Sequence, residues 1–329
     1  MTDVLAASLR TLLGALLLAL VTPALAAPPD KPTEAEPPPP APPGYDADAE
    51  AADAEADAGS RFIRVLRDEN DAPLALQTAI VRYVPESGEA GVEVDLVSVV
   101  HIGDKSYYEQ LNERFESYDV VLYELVAPKG TRIDPTTRRN GPLMMLVKSG
   151  LELDSQVELI DYSKENFLHA DLSPQEMSEA MEKRGEDAVT LTLGILTDML
   201  REHNKQQLRA EEAAAEAEEN GEELPPQPEI SLAELLFDPN APLKLKRIMA
   251  EQFDVADPST GLGPTLATLL IDDRNAACMK VFQKELAGGK TKIAIFYGAA
   301  HMPDFERRLE EEFGLKRAGA DWLTAWNLE

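Results

Sequence analysis

From residue 61 onward, apolar positions gather into short strand-like runs and longer helix-like stretches. Residues 78–84 and 92–100 are rich in β-branched side chains and are joined by PESGEAG, a hairpin signal. Residues 107–115 read as a helix. The run at 120–126, VVLYELV, is short and almost wholly apolar, as in a parallel strand covered by helices on both faces. A further strand is expected at 157–162. Helices then dominate. Ser173-Pro174-Gln175-Glu176 combines an N-cap serine, a proline at the first helical position and a glutamate three residues after the cap. Ser231 with Glu234 repeats that capping signal, and 188–204 reads as an apolar helix between them. The last third predicts a long helix at 264–286, a strand at 292–297, a helix at 303–313 and a short final strand at 323–328. The expected fold class is α/β with some α+β character, a mixed β-sheet with helices packed on it and a helical middle region.

The N-terminus departs from this pattern. Arg10, an apolar core at 12–21 and the small-x-small triplet Ala24-Leu25-Ala26 make residues 1–26 a secretory signal, with an uncleaved anchor as the alternative. No other stretch approaches the length of a membrane span, so no stable membrane insertion is expected after cleavage. Residues 27–59 are proline-rich and then Asp/Glu/Ala-rich, too poor in large apolar groups to build a core, and read as a solvated tether. The expected folded domain is 60–329, with a charged insert at about 205–229. The chain is therefore expected to be exported, to a periplasmic or extracellular location.

The formal net charge of −29 argues against nucleic acid as a partner, since no basic stripe is present to release counterions. The single cysteine, Cys278, excludes an intrachain disulfide, so the domain must be held by its core.

Two segments repeat one design. A hydrophobic strand runs into His101-Ile102-Gly103-Asp104 and a helix with Leu111 and Phe115. A second runs through Gly298 into His301-Met302-Pro303-Asp304 and a helix with Leu309 and Phe313. Ligand sites in open α/β sheets lie at the carboxyl ends of strands, which is where both histidines fall. The other two histidines, His169 and His203, are expected to be structural or solvent-facing. Glu124 interrupts VVLYELV and shares a face with Val120 and Leu122 by the period-two rule. A carboxylate among buried neighbours must be protonated, paired or bound to a cation. An ion-pair role and a ligand or general-base role are both open to it. Arg274 lies inside the apolar stripe Leu266, Leu270, Ala277, Cys278, Val281 and Phe282, where its guanidinium must meet a carboxylate or a substrate oxyanion. Asp273 borders that stripe, and Asp272 is expected to be solvated.

Two imidazoles and a carboxylate form a recurrent ligand set for a catalytic divalent metal with an open position. His101, His301 and Glu124 are the candidate ligands. Glu124 and Arg274 are the candidate catalytic groups, with Asp104, Asp304, Ser98 and Gly298 in support.

At these residues the chain resembles the TraB/PrgY/GumN family, which includes the Tiki proteases. The matching pieces are SVVHIGD, YELV, LDSQVELIDY with HADLS, DDRNAACM and GAAHMPDFERRL. The family pattern of GxxH, glutamate, arginine and a second GxxH maps to His101, Glu124, Arg274 and His301. The first motif departs, with Ser98 where glycine is usual, and PDF replaces the glycine usual after the second histidine. The resemblance implies a fold related to erythromycin esterase and the haem-iron-binding ChaN-like group, and a metal-dependent peptidase using manganese or cobalt on a protein or peptide substrate. Two readings compete with it. One is a non-catalytic protein that binds a peptide, a signal or haem. The other is metal-free esterase chemistry with a histidine activating water.

Overall fold

The computed structural model describes residues 61–88, 91–129, 131, 142–185, 238–255 and 267–329, with isolated positions between 190 and 208 that are all helical. The signal-like segment 1–26, the tether 27–59, His203, the capping signal at Ser231 and Glu234, and the insert at about 205–229 save position 208 lie outside them.

Among the described residues seven strands form one mixed sheet: β1 (Ile63–Arg67), β2 (Pro73–Pro85), β3 (Glu93–Val99), β5 (Val120–Tyr123), β7 (Phe167–His169), β8 (Lys292–Gly298) and β9 (Leu315–Asn327). A two-stranded ribbon pairs β4 (Ile102–Gly103) with β6 (Asp154–Ser155). The hairpin expected around PESGEAG is the antiparallel pair β2–β3, with Ile80 opposite Val97. Beyond β3 the order is β8, β5, β7, all parallel to it. The carboxyl ends of these four strands therefore lie side by side along one edge.

The continuous α-helices among the described residues are α1 (Lys105–Phe115), α2 (Pro142–Leu151), α3 (Gln156–Leu159), α4 (Pro174–Lys183), α5 (Ala241–Val255), α6 (Asp273–Ala287) and α7 (Met302–Phe313). Alternate strand residues feed two separate cores. Val97, Val121, Ala294 and Phe296 pack with Tyr108, Leu111 and Phe115 of α1 and Met249 of α5. Leu96, Val120, Leu122 and Ile295 pack with Cys278 and Phe282 of α6 and with Phe305 and Leu309 of α7. The result is a three-layer α/β/α arrangement, as period-two alternation on a doubly covered sheet requires. The capping box before α4 is complete: Glu176 N donates to Ser173 Oγ at 3.2 Å, and Ser173 N donates to Glu176 Oε2 at 2.8 Å.

Four expectations need correction. Residues 157–162 are not a strand; they begin in the helical turn α3, closed by Ile160 N bonding back to Gln156 O at 2.9 Å. The final strand is not short but runs over Leu315–Asn327, held against β2 from Pro85 to Ala75 with two bulges. The helix expected at 264–286 opens, within the described residues, with a π-helical turn at Thr268–Asp272 before α6. The two strand-His-x-x-Asp units also differ in space, since α1 and α7 pack on opposite faces of the sheet. Asp104 precedes α1 as its N-cap residue, whereas Asp304 lies within the first turn of α7.

Candidate active site

His101 follows β3, Glu124 follows β5, and Gly298 ends β8, with His301 closing the 3-10 turn Ala299–His301 behind it. Because these strands are adjacent and parallel, the side chains meet at one edge. A Cβ placed on Gly298 would lie 3.4 Å from Glu124 Oε2, 3.7 Å from His101 Nε2 and 3.8 Å from His301 Cδ2. The three groups thus border a single point that the missing glycine side chain leaves open. His301 is buried and His101 is half-buried.

Glu124 is held from two directions. Gly298 N donates to Oε2 at 2.8 Å, and Arg274 Nη2 donates to Oε1 at 2.7 Å. His301 Nε2 stands 3.6 Å from the same Oε1. Burial alone would raise this carboxyl; Arg274, and after it His301, outweigh burial and hold it well below the usual carboxylate range.

The expected partner of Arg274 is therefore present, together with a second one that sequence reasoning missed. Asp171, just past β7 and 1% exposed, accepts from Arg274 Nε at 3.0 Å and from Nη2 at 2.6 Å. Nη1 donates to Leu270 O at 3.3 Å, inside the π-turn. Burial disfavours the guanidinium charge, but Glu124 and then Asp171 reverse that effect and keep it fully protonated. With 2% exposure and these bonds in place, Arg274 faces carboxylates rather than a substrate.

Each histidine uses its second ring nitrogen on a carboxamide. Asn275 Oδ1 lies 2.6 Å from His301 Nδ1, and Gln156 Oε1 lies 2.9 Å from His101 Nδ1. Neither amide was singled out from sequence, although both, like Asp171, fall within the segments that carry the family resemblance. Asp304 supports the site at one remove: it accepts from Asn275 Nδ2 at 2.9 Å and from Arg308 Nε at 2.7 Å. Asp104 does not join it. Its carboxylate takes Asn327 N at 2.6 Å and faces Lys246 at 3.6 Å. Ser98 is buried beside Tyr297 in the register, one residue short of the Val99–Gly298 pair, and its hydroxyl has no partner among the described residues. His169 is structural, with Nε2 2.5 Å from Leu125 O. Cys278 is buried and burial pushes its thiol up, which keeps it a protonated core group. Asp272 is exposed, and Asp273 pairs with Arg184 at 2.5 Å.

Among the described residues, no group of three or more histidine, cysteine, aspartate or glutamate side chains is arranged to hold a metal ion. The donor types are nevertheless those that a divalent cation takes. Two imidazole nitrogens and one carboxylate border the opening at Gly298, and carboxamides hold the far side of each ring, the outer support that ligating histidines require.

No family model matches the chain, and neither the curated proteins nor the solved structures contain a match.

Proposed function

We propose that the protein is an exported metal-dependent hydrolase, most readily a peptidase, and a relative of the TraB/PrgY/GumN group. His101, His301 and Glu124 are its ligand set. The observation that carries this reading is the convergence of these three side chains on the space beside Gly298. A divalent cation bound there would polarise a carbonyl and acidify water, the two tasks that hydrolysis of an amide demands. The chain's own groups prepare the place. Glu124 stays ionised beside Arg274 and so contributes charge rather than proton affinity, which suits a ligand better than a general base. Arg274 and Asp171 fix the Glu124 carboxylate in place, so Arg274 acts as a positioning group.

The test is titration of the full chain lacking residues 1–26 with manganese, cobalt and zinc, alongside peptide hydrolysis. One ion per chain is expected, with binding and turnover lost in His301→Ala while the circular dichroism spectrum is retained. A folded protein that takes up none of the three ions at saturation would remove the reading. N-terminal sequencing of the recovered protein tests export, with a start at Ala27 expected. A second reading is metal-free hydrolysis with water held between the histidines. It is favoured by the protein donors already on both Glu124 oxygens, and turnover that survives chelation would select it.

A further inference from the structure

Asn275 decides which nitrogen of His301 carries the proton. Its Nδ2 donates to His301 O at 3.0 Å and to Asp304 Oδ2 at 2.9 Å. Both of those atoms can only accept, so the carboxamide cannot be turned around. Its Oδ1 is then the atom 2.6 Å from His301 Nδ1, and that nitrogen must be the donor. A neutral His301 therefore holds its lone pair on Nε2, the atom 3.6 Å from Glu124 Oε1. Asn275 is fully buried, and Tyr297 stands edge-on to the imidazole at 5.1 Å, so neither group has room to reorient.

The second histidine has a comparable partner under a looser constraint, because the Tyr162 hydroxyl beside Gln156 can donate or accept and does not by itself fix which way the carboxamide faces. Gln156, itself 4% exposed, gives its Nε2 to the Tyr162 hydroxyl at 2.9 Å and presents Oε1 to His101 Nδ1 at 2.9 Å. The backbone N of Gln156 bonds His101 O at 2.9 Å, so the residue grips the histidine at both main chain and ring. Carboxamides stand where carboxylates often support histidines, and an amide oxygen fixes the tautomer without adding negative charge.

We infer that Asn275 and Gln156 are positioning residues that lock His301 and His101 in the Nδ1–H tautomer. Two Nε2 lone pairs are thereby presented, pre-formed, beside the Glu124 carboxylate. Free histidine in water favours the opposite tautomer, so the arrangement is imposed by the fold. Three electron-pair donors with no proton among them leave a space whose fitting occupant is an electrophile. The inference deepens the metal-site reading, but its first test does not depend on it.

That test is ¹⁵N spectroscopy of the histidine rings in the metal-free full chain, at about pH 8.5, well above the ordinary histidine value of ~6.5. His101 and His301 are expected to show a protonated Nδ1 and a pyridine-like Nε2. An Nε2–H signal for either would overturn the inference. Gln156→Leu should return His101 towards the Nε2–H form and weaken cobalt(II) binding roughly 10–100-fold. Gln156→Glu keeps the acceptor and should retain both the tautomer and the affinity. A tautomer unmoved by Gln156→Leu would also overturn it. Asn275→Ala should act on His301 in the same way; if its burial prevents folding, the wild-type spectrum and the Gln156 pair still decide the matter. Expected tautomers in a protein that binds no cobalt would uphold the lock and remove the metal reading.

Discussion

At the scale of single residues, Gly298 separates stability from function more cleanly than any other position. Its φ of −55° suits any residue. An alanine Cβ would meet its nearest neighbour, Glu124 Oε2, at 3.4 Å, an ordinary contact. Gly298→Ala should therefore fold with a melting temperature within a few degrees of the parent yet lose metal uptake and turnover, because the methyl fills the space the three donors face. Thermal melts run beside cobalt titrations would check this, and retained binding would mean the cation sits elsewhere. Arg274 should behave in the opposite way. Arg274→Met leaves Glu124 and Asp171 buried without their cation, so the cost should be about 3–5 kcal/mol, read by urea unfolding. His101, His301, Glu124 and Arg274 were legible because each is a polar group in an apolar pattern. Asp171, Asn275 and Gln156 were not, because their importance lies in partners far away in sequence. Asp171, for example, meets a guanidinium 103 positions along the chain.

At the scale of elements, the site is a consequence of how β5 and β8 are pinned to each other. At their carboxyl ends Gly298 N bonds the Glu124 carboxylate. At their amino ends Asp119 Oδ2 accepts from Thr291 N and Lys292 N, both at 2.9 Å. Those two backbone donors lower the Asp119 pKa below its usual 3.8. A carboxylate so depressed stabilises the fold above that value, and its contribution is lost as the pH falls through the lower folded value. Asp119→Ala should cost about 1–2 kcal/mol at neutral pH and should lose less stability than the parent between about pH 5 and 3. Urea titrations across that range measure both effects. The strands and helices that carry the site could be read from the sequence, since their apolar runs were long or cleanly capped. The stretch 157–162 could not, because a short apolar run fits a strand or a helical turn equally well and only the bond from Ile160 N back to Gln156 O decides. The first half of β9 was hidden for a different reason. In LKRAGADW, polar and charged residues blur the alternation, and what holds the strand is pairing to β2 and stacking of Trp322 under Arg64 at 3.9 Å.

At the scale of the whole molecule, the α/β class followed from alternating apolar runs, but the return of the last strand onto β2 did not. β9 lies against β2 along almost its full length, and its last residues reach the segment just after His101. Asp104 N bonds Ala325 O at 2.8 Å, and Trp326 Nε1 donates to Ile102 O at 2.7 Å. The indole is fully buried, with Phe253 of α5 edge-on at 5.9 Å. The C-terminal strand thus serves as the floor of the His101 loop, while His301 is held independently by α6 and α7. This asymmetry makes a specific prediction. Trp326→Ala should cost about 3–5 kcal/mol, as large-to-small core substitutions do, and would loosen the whole C-terminal core. Trp326→Phe keeps most of the ring and removes the donor, so Ile102 O loses its partner in a buried setting at about 1–3 kcal/mol. Hydrogen exchange should then quicken at 102–104 but not at 301–304, and cobalt affinity should fall through His101 alone. Equal quickening of both segments would show that the two histidines share one support rather than two.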